Sequence, residues 1–190
     1  MRIKPTAKAG GVLVELGPQE AQIPAQALQI APVFKLQRIL VPIDFSECSR
    51  KALQYAVPFA RQFGAELKLL HVLEPYPAVP EMAPYDFNDI QDCREELDAL
   101  QKGIGAGVRC STCLRKGTPH SQIAEAAREF GADMIIISTH GRKGFSRMLL
   151  GSTSEKMARH APCPVLIVRE CQHEFIACNK AISYDLPLRS

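Results

Sequence analysis

The chain has 190 residues, enough for one domain of ordinary size with some left over. Apolar residues make up 46% and charged residues 23%, the balance of a globular protein with a real core. The apolar runs Met134–Ile137 and Val165–Val168 are strand-sized, which argues against a membrane span, and a net charge of +3 spread along the chain without a basic stripe argues against a nucleic-acid partner.

The basic N-terminus MRIKPTAKAGGVLVELG is followed by no apolar segment of signal-peptide length, so a cytoplasmic location is expected. Residues 1–36 read as an N-terminal extension, in which Val12–Leu16 and Ala27–Ile30 are candidates for a hairpin around GPQEA. The regular pattern begins at residue 37. Arg38–Ile43 (RILVPI) is a short apolar run, the mark of a strand buried on both faces. Ser46 is a good N-cap, and Ala52, Leu53, Ala56, Val57, Ala60 and Phe63 follow at helical spacing until Gly64 closes the helix. Pro58 lies inside that helix and predicts a kink.

Leu67–Leu73 (LKLLHVL) predicts a second strand, and residues 74–86 (EPYPAVPEMAPYD) a loop. A helix is predicted over Asn88–Lys102, with Ile90, Cys93, Leu97 and Leu100 on one face. A third strand runs through Cys110. Thr118-Pro119 starts a helix carrying Ile123, Ala124, Ala127 and Phe130, which ends at Gly131. Asp133–Ser138 is a fourth strand, Ser152–His160 a short helix and Pro164–Val168 a fifth strand. Strands alternating with helices of this length imply parallel pairing through right-handed crossovers, hence an open α/β domain over 37–170 followed by a tail, 171–190.

The seven cysteines are an odd number in a chain without a secretory signal, so no disulfide framework is expected. Cys110 and Cys113 form a CxxC, the spacing of a redox pair or half a zinc site. No second pair completes it, and the alternation of Val108, Cys110, Thr112 and Leu114 sends the two sulfurs to opposite faces of a strand. His71, in an apolar strand, reads as packed and hydrogen-bonded rather than catalytic.

The stretch after the fourth strand, STHGRKGFSRMLLGST at 138–153, starts where open parallel sheets gather ligands, outside the carboxyl ends of the strands. Gly141 and Gly144 permit close backbone approach, Arg142 and Lys143 add positive charge, and Gly151-Ser152 opens a helix whose Ser152-x-x-Glu155 has capping-box spacing. Such a loop offers N–H groups and a helix dipole to phosphate, and it is equally how ordinary strand-to-helix turns are made. His140 reads as a phosphate contact or a solvated loop residue, and Phe145, Met148, Leu149 and Leu150 as packing. Neither a Walker A loop nor a GxGxxG is present.

Three segments, ILVPIDFSECSRKAL at 39–53, LKLLHVL at 67–73 and STHGRKGFSRMLLGSTSEKMARHAPCPVLIVR at 138–169, resemble the universal stress protein family, the likeness covering most of 37–169. The nucleotide-binding branch of that family carries GxxG, nine residues, then G followed by Ser or Thr. Here Gly141 takes the second glycine, RKGFSRMLL the nine residues, and Gly151-Ser152 the close, while Ser138 stands in place of the first glycine.

The resemblance implies a five-stranded parallel sheet of order 3-2-1-4-5 with helices on both faces, Rossmann-like in type. It implies that ATP, with Mg²⁺ carried on its phosphates, sits at the carboxyl end of the sheet among Pro42, Ile43, Asp44, Val72, Ile137, Ser138, Thr139, His140, Gly141, Arg142, Gly144, Gly151, Ser152 and Thr153. Asp44 would hold the nucleoside, the Val72 main chain the adenine edge, and the glycines and hydroxyls the ribose and phosphates. Asp44 also admits a second role, capping the first helix, which Ser46 can equally fill. The resemblance further implies a homodimer through the last strand, Val165, Leu166, Ile167 and Val168.

No general base is evident, so any ATP hydrolysis is expected to be slow and no catalytic residue is assigned. The competing readings are an interaction module whose pocket takes no nucleotide, which Ser138 favours, and an ATP-consuming enzyme of related fold. VPIDFSECS lacks the SGGxDS and HIGH loops that such enzymes need.

Overall fold

The computed structural model describes residues 2–5, 12–15, 35–75, 87–140 and 151–169. It divides into two units, Met1–Phe34 and Lys35–Ser190. In the first, β1 (Arg2–Pro5) pairs antiparallel with β2 (Val12–Glu15), Arg2 opposite Glu15 and Pro5 opposite Val12. Val12–Glu15 is a strand as expected, but it pairs with Arg2–Pro5 before it instead of closing a hairpin around GPQEA, which lies outside the described residues. The other candidate strand, Ala27–Ile30, lies outside the described residues.

The second unit alternates β3 (Arg38–Pro42), α1 (Glu47–Phe63), β4 (Glu66–Leu73), α2 (Phe87–Ile104), β5 (Cys110–Lys116), α3 (Pro119–Phe130), β6 (Met134–Ser138), α4 (Ser152–His160) and β7 (Val165–Val168). Its five strands form one parallel sheet in the order β5-β4-β3-β6-β7, the 3-2-1-4-5 arrangement expected. The chain steps outward from β3 to β5 and then returns to the other side of β3 with β6. Strand order therefore reverses between β3 and β6, and the carboxyl ends of these strands are where open parallel sheets form a ligand crevice.

Two apolar layers cover the sheet, which is why its strands read as continuous runs instead of alternating ones. Ile39, Val41, Leu67, Leu69 and Ile136 pack with Leu53, Ala56, Val57 and Ala60 of α1 and with Leu97, Leu100 and Ile104 of α2. Leu40, Leu70, Ile135 and Ile137 point the other way, against Ile123, Ala126 and Ala127 of α3 and Met157 of α4. The helix α1 runs through Pro58 and ends at Gly64, whose φ of 65° is the left-handed C-cap that a Cβ would disfavour. At the amino ends of β3 and β6, the Asp133 Oδ2 accepts from the Gln37 N–H at 2.8 Å and the Arg38 N–H at 2.9 Å, tying the two strand starts together. Observed element ends differ from the expected ones by a residue or two, as helix and strand ends usually do.

Cys110 packs in the α1/α2 layer and Cys113 in the α3/α4 layer, as strand alternation requires. Burial, and then the nearby Glu66 charge, push the Cys110 thiol from its ordinary 9.0 up to about 12. The folded value lies above the unfolded one, so the neutral thiol's contribution to stability is fully present below about pH 9 and is lost as pH rises toward 12. Native protein at pH 8 is accordingly expected to alkylate at Cys110 far more slowly than denatured protein. Equal rates by peptide mass mapping would contradict this.

Candidate functional site

The turn leaving β3 is built by its own side chains. Ile43 prolongs the strand, its N–H donating to the Leu70 carbonyl at 2.8 Å. The Asp44 Oδ1 then accepts from the Ser46 N–H at 3.1 Å and the Ser46 hydroxyl at 2.5 Å, an Asx turn two residues long. Ser46 caps α1: its Oγ accepts from the Ser49 N–H at 3.2 Å. Of the two roles open to Asp44, the cap itself thus falls to Ser46, while Asp44 orients the cap at the mouth of the crevice.

Between them Phe45 adopts φ 65°, the left-handed region in which a non-glycine residue is strained. Its ring is nevertheless buried at 9% exposure and lies 4.6 Å from the His71 ring, centroid to centroid. His71, only 7% exposed, reaches from β4 to the Ile43 carbonyl at 2.7 Å. A carbonyl only accepts, so Nδ1 carries the proton. His71 is packed and hydrogen-bonded, as its place in an apolar strand suggested.

Phe45 sets up an opposed pair of effects. Phe45→Gly relieves about 1–2 kcal/mol of left-handed strain yet forfeits the buried ring, worth about 3–5 kcal/mol, so it is expected to destabilise. Phe45→Ala loses the ring and keeps the strain, so it should melt below Phe45→Gly. The reverse order in thermal melts would show that φ is not held at the observed value.

At the carboxyl end of β6 the chain is braced three ways. The Thr139 N–H donates to the Val168 carbonyl at 2.9 Å, the Ser138 hydroxyl to the His140 carbonyl at 2.8 Å, and the Ser154 hydroxyl to the Ser138 carbonyl at 2.6 Å. Ser138, Thr139 and Ser154 are all buried. Gly151 closes the loop, its N–H donating to the Thr139 carbonyl at 2.8 Å. A Cβ on Gly151 would stand 2.9 Å from that same carbonyl oxygen, so only glycine lets α4 start this close to β6.

Substitution at Gly151 therefore strains the fold itself, whatever it does to a ligand. The capping box is not formed. Gly151, not Ser152, is the N-cap of α4, its carbonyl accepting from the Glu155 N–H at 2.9 Å, and as a glycine it supplies no side-chain oxygen to cap the helix. The first turn of α4, Ser152 and Thr153 included, thereby presents its N–H groups without the side-chain oxygen that usually satisfies them.

His140 follows directly. Its Nδ1 lies 3.0 Å from the Thr139 Oγ1, and its Nε2 is buried without a hydrogen-bond partner among the described residues. A buried imidazole nitrogen left in that state is costly, and a polar ligand group is one way to satisfy it. At the carboxyl end of the sheet, then, come Pro42 ending β3 with Ile43 and Asp44 after it, Val72 near the end of β4, Ile137 and Ser138 ending β6 with Thr139 and His140 after it, and Gly151, Ser152 and Thr153 opening α4. Gly141, Arg142 and Gly144, with Phe145, Met148, Leu149 and Leu150, lie outside the described residues. Among the described residues no group of three or more His, Cys, Asp or Glu side chains gathers to hold a metal ion. Nor is any described helix long and apolar enough to cross a membrane.

Sequence reasoning passed over Ser154 and the strain at Phe45. Ser154 had a signal, a hydroxyl in the first turn of a helix that starts at a glycine. Phe45 had none, because phenylalanine does not advertise positive φ.

The universal stress protein family model matches residues 35–169, the whole of this α/β unit's described part. The chain belongs to the universal stress protein family. Among its relatives a universal stress protein of Methanocaldococcus jannaschii is 33% identical over 144 residues, covering 73% of this chain and 85% of the relative. The universal stress protein YxiE of Bacillus subtilis is 34% identical over 151 residues, covering 70% and 98%. Of the solved structures, the universal stress protein UspA of Lactobacillus plantarum superposes with a TM-score of 0.62 at 26% identity, over 72% of this chain and 99% of that one. A universal stress protein in complex with cAMP superposes with a TM-score of 0.54 at 26% identity, over 71% and 98%. The universal stress protein fold thus accounts for residues 35–169, and β1 and β2 lie before the matched region.

Proposed function

We propose that this universal stress protein binds an adenine nucleotide, ATP foremost, at the carboxyl end of its parallel sheet, and that the bound state regulates a partner. The observation that carries the reading is the junction of β6 and α4. Gly151 is held against the Thr139 carbonyl, the first turn of α4 receives no side-chain cap from its N-cap glycine, and the buried His140 Nε2 has no partner among the described residues. Donors left unsatisfied at a helix N-terminus suit phosphate oxygens. The related structure holding cAMP supports an adenine nucleotide as the ligand class.

On this reading Asp44 accepts from nucleoside hydroxyls, the Val72 main chain meets the adenine edge, and Gly151, Ser152 and Thr153 hold phosphate oxygens together with Gly141 and Arg142. Mg²⁺ would be carried on the phosphates and would screen their charge. The reading assigns no catalytic residue, so binding works as a switch: the nucleotide shifts a two-state equilibrium by its difference in affinity for the two states. A homodimer through β7 fits its edge position and the half-buried Val165, Leu166 and Ile167, with Val168 buried. A cytoplasmic location, where ATP is abundant, is part of the same proposal.

The alternative of an interaction module without nucleotide rests on Ser138, whose hydroxyl is spent on the His140 carbonyl where the family's motif has glycine. That bond turns the hydroxyl back onto the chain, so it stabilises the loop start in either case. Acid extraction of gently purified protein separates the readings. Adenine nucleotide at about one per chain is the expected result, and extracts without nucleotide from folded protein that also takes up no added ATP would favour the interaction module.

A further inference from the structure

Parallel strands in this sheet separate as soon as β3 turns into α1, yet the crevice needs the ends of β3 and β4 held at a fixed spacing. The last main-chain bond between them runs from the Ile43 N–H to the Leu70 carbonyl, 2.8 Å. One rung further on, the His71 side chain takes over, its Nδ1 donating to the Ile43 carbonyl at 2.7 Å. The same ring is backed by Phe45, whose left-handed backbone lies between Asp44 and Ser46 in the turn that the Asp44 carboxylate closes onto Ser46. By strand alternation the main-chain groups of Val72 face the same side as those of Leu70, toward β3.

We infer that His71 is a positioning residue for nucleobase selection: its bond to Ile43, with the ring packed on Phe45, fixes the gap between Asp44 on β3's turn and the Val72 main chain on β4 through the Nδ1 donor. This rests on the adenine-nucleotide reading above and goes beyond it, because it makes base selectivity depend on a buried side chain that touches no ligand. A buried imidazole bridging two strands costs solvation and rotamer freedom that an aliphatic residue would not. Its geometry is specific: the ring donates to the one carbonyl adjoining Asp44 in sequence and is itself the residue before Val72.

Two substitutions separate the parts of this brace. His71→Phe keeps a ring against Phe45 and removes the donor, while His71→Asn keeps a donor close to the Nδ1 position and removes the ring. The readout is the ratio of ATP to GTP affinity by calorimetry on the full chain. The unsubstituted chain is expected to prefer ATP by at least about tenfold, His71→Phe to lose most of that preference, and His71→Asn to keep it within about threefold.

A purely structural role would lower both affinities in step and leave the ratio unaltered in His71→Phe, which overturns the inference and leaves the nucleotide reading intact. An unsubstituted ratio near one overturns it too. If the unsubstituted chain binds neither nucleotide, the nucleotide reading itself falls and takes this inference with it. Should His71→Phe fail to fold, the unsubstituted protein still decides. Saturating ATP should then shift the His71 ring nitrogen resonances and slow exchange of its Nδ1 proton, and unchanged ring signals overturn the inference.

Discussion

Gly151→Ala is expected to weaken ATP binding about ten- to a hundredfold and to destabilise the fold by about 1–3 kcal/mol, the range for overpacking a close contact. The backbone of Gly151, at φ −61° and ψ 149°, is one that alanine adopts freely. Without a clash the change would add about 0.4–1 kcal/mol of stability by restricting the unfolded chain. The clash decides the sign. The new Cβ would meet the Thr139 carbonyl oxygen at 2.9 Å, and the His140 Cα at 3.6 Å, backbone atoms that cannot swing aside. The start of α4 must then retreat, breaking the 2.8 Å bond between Gly151 and Thr139 and moving the helix N-terminus away from the crevice. Gly151→Val should be worse on both measures. Thermal melts and calorimetric titration check this together. A more stable Gly151→Ala with unchanged ATP affinity would remove the basis for placing phosphate at this junction.

The second large effect belongs to Asp44. Its Oδ1 orders the turn through Ser46, and on the proposed reading the carboxylate also accepts from the nucleoside. Hydrogen bonds to an ionised acceptor contribute about 1.5–3 kcal/mol each, so Asp44→Ala is expected to lower ATP affinity about ten- to a hundredfold and to cost stability as well. Asp44→Asn distinguishes the two roles. The amide retains an oxygen for the Ser46 N–H and hydroxyl, so the melting temperature should stay close to that of the unsubstituted chain. It lacks the charge, so ATP affinity should still fall. Parallel losses of stability and affinity in both variants would reduce Asp44 to a part of the helix cap.

Much of the α/β unit was legible because its physics is local. Runs such as ILVP in β3 and MIII in β6 are apolar without alternation, and a strand covered on both faces by helices can bury residues on both. Ser46 and Gly64 marked the limits of α1 for the same reason that they cap it. The hairpin's partner was not legible: β2 was visible as VLVEL, but β1 is only four residues with lysine and proline among them, and nothing local says which neighbour pairs with it.

The site was legible in outline and not in mechanism. The glycine–nine–glycine–serine spacing led to Gly151, but spacing is blind to what a Cβ would touch. Ser152 and Glu155 had the spacing of a capping box and lost it, because Gly151 is drawn to Thr139 and takes the N-cap position itself. The brace from Ser154 to Ser138 spans sixteen residues, and the bond from His71 to Ile43 spans twenty-eight. Contacts of that separation exist only once the sheet has formed.

The most direct test of nucleotide binding at the β6–α4 junction is calorimetric titration of ATP and Mg²⁺ into the full chain after bound nucleotide has been stripped. The account predicts saturable binding with a Kd in the micromolar range, about −8 kcal/mol, lost in Gly151→Val. A folded, nucleotide-free chain that takes up no ATP would contradict it.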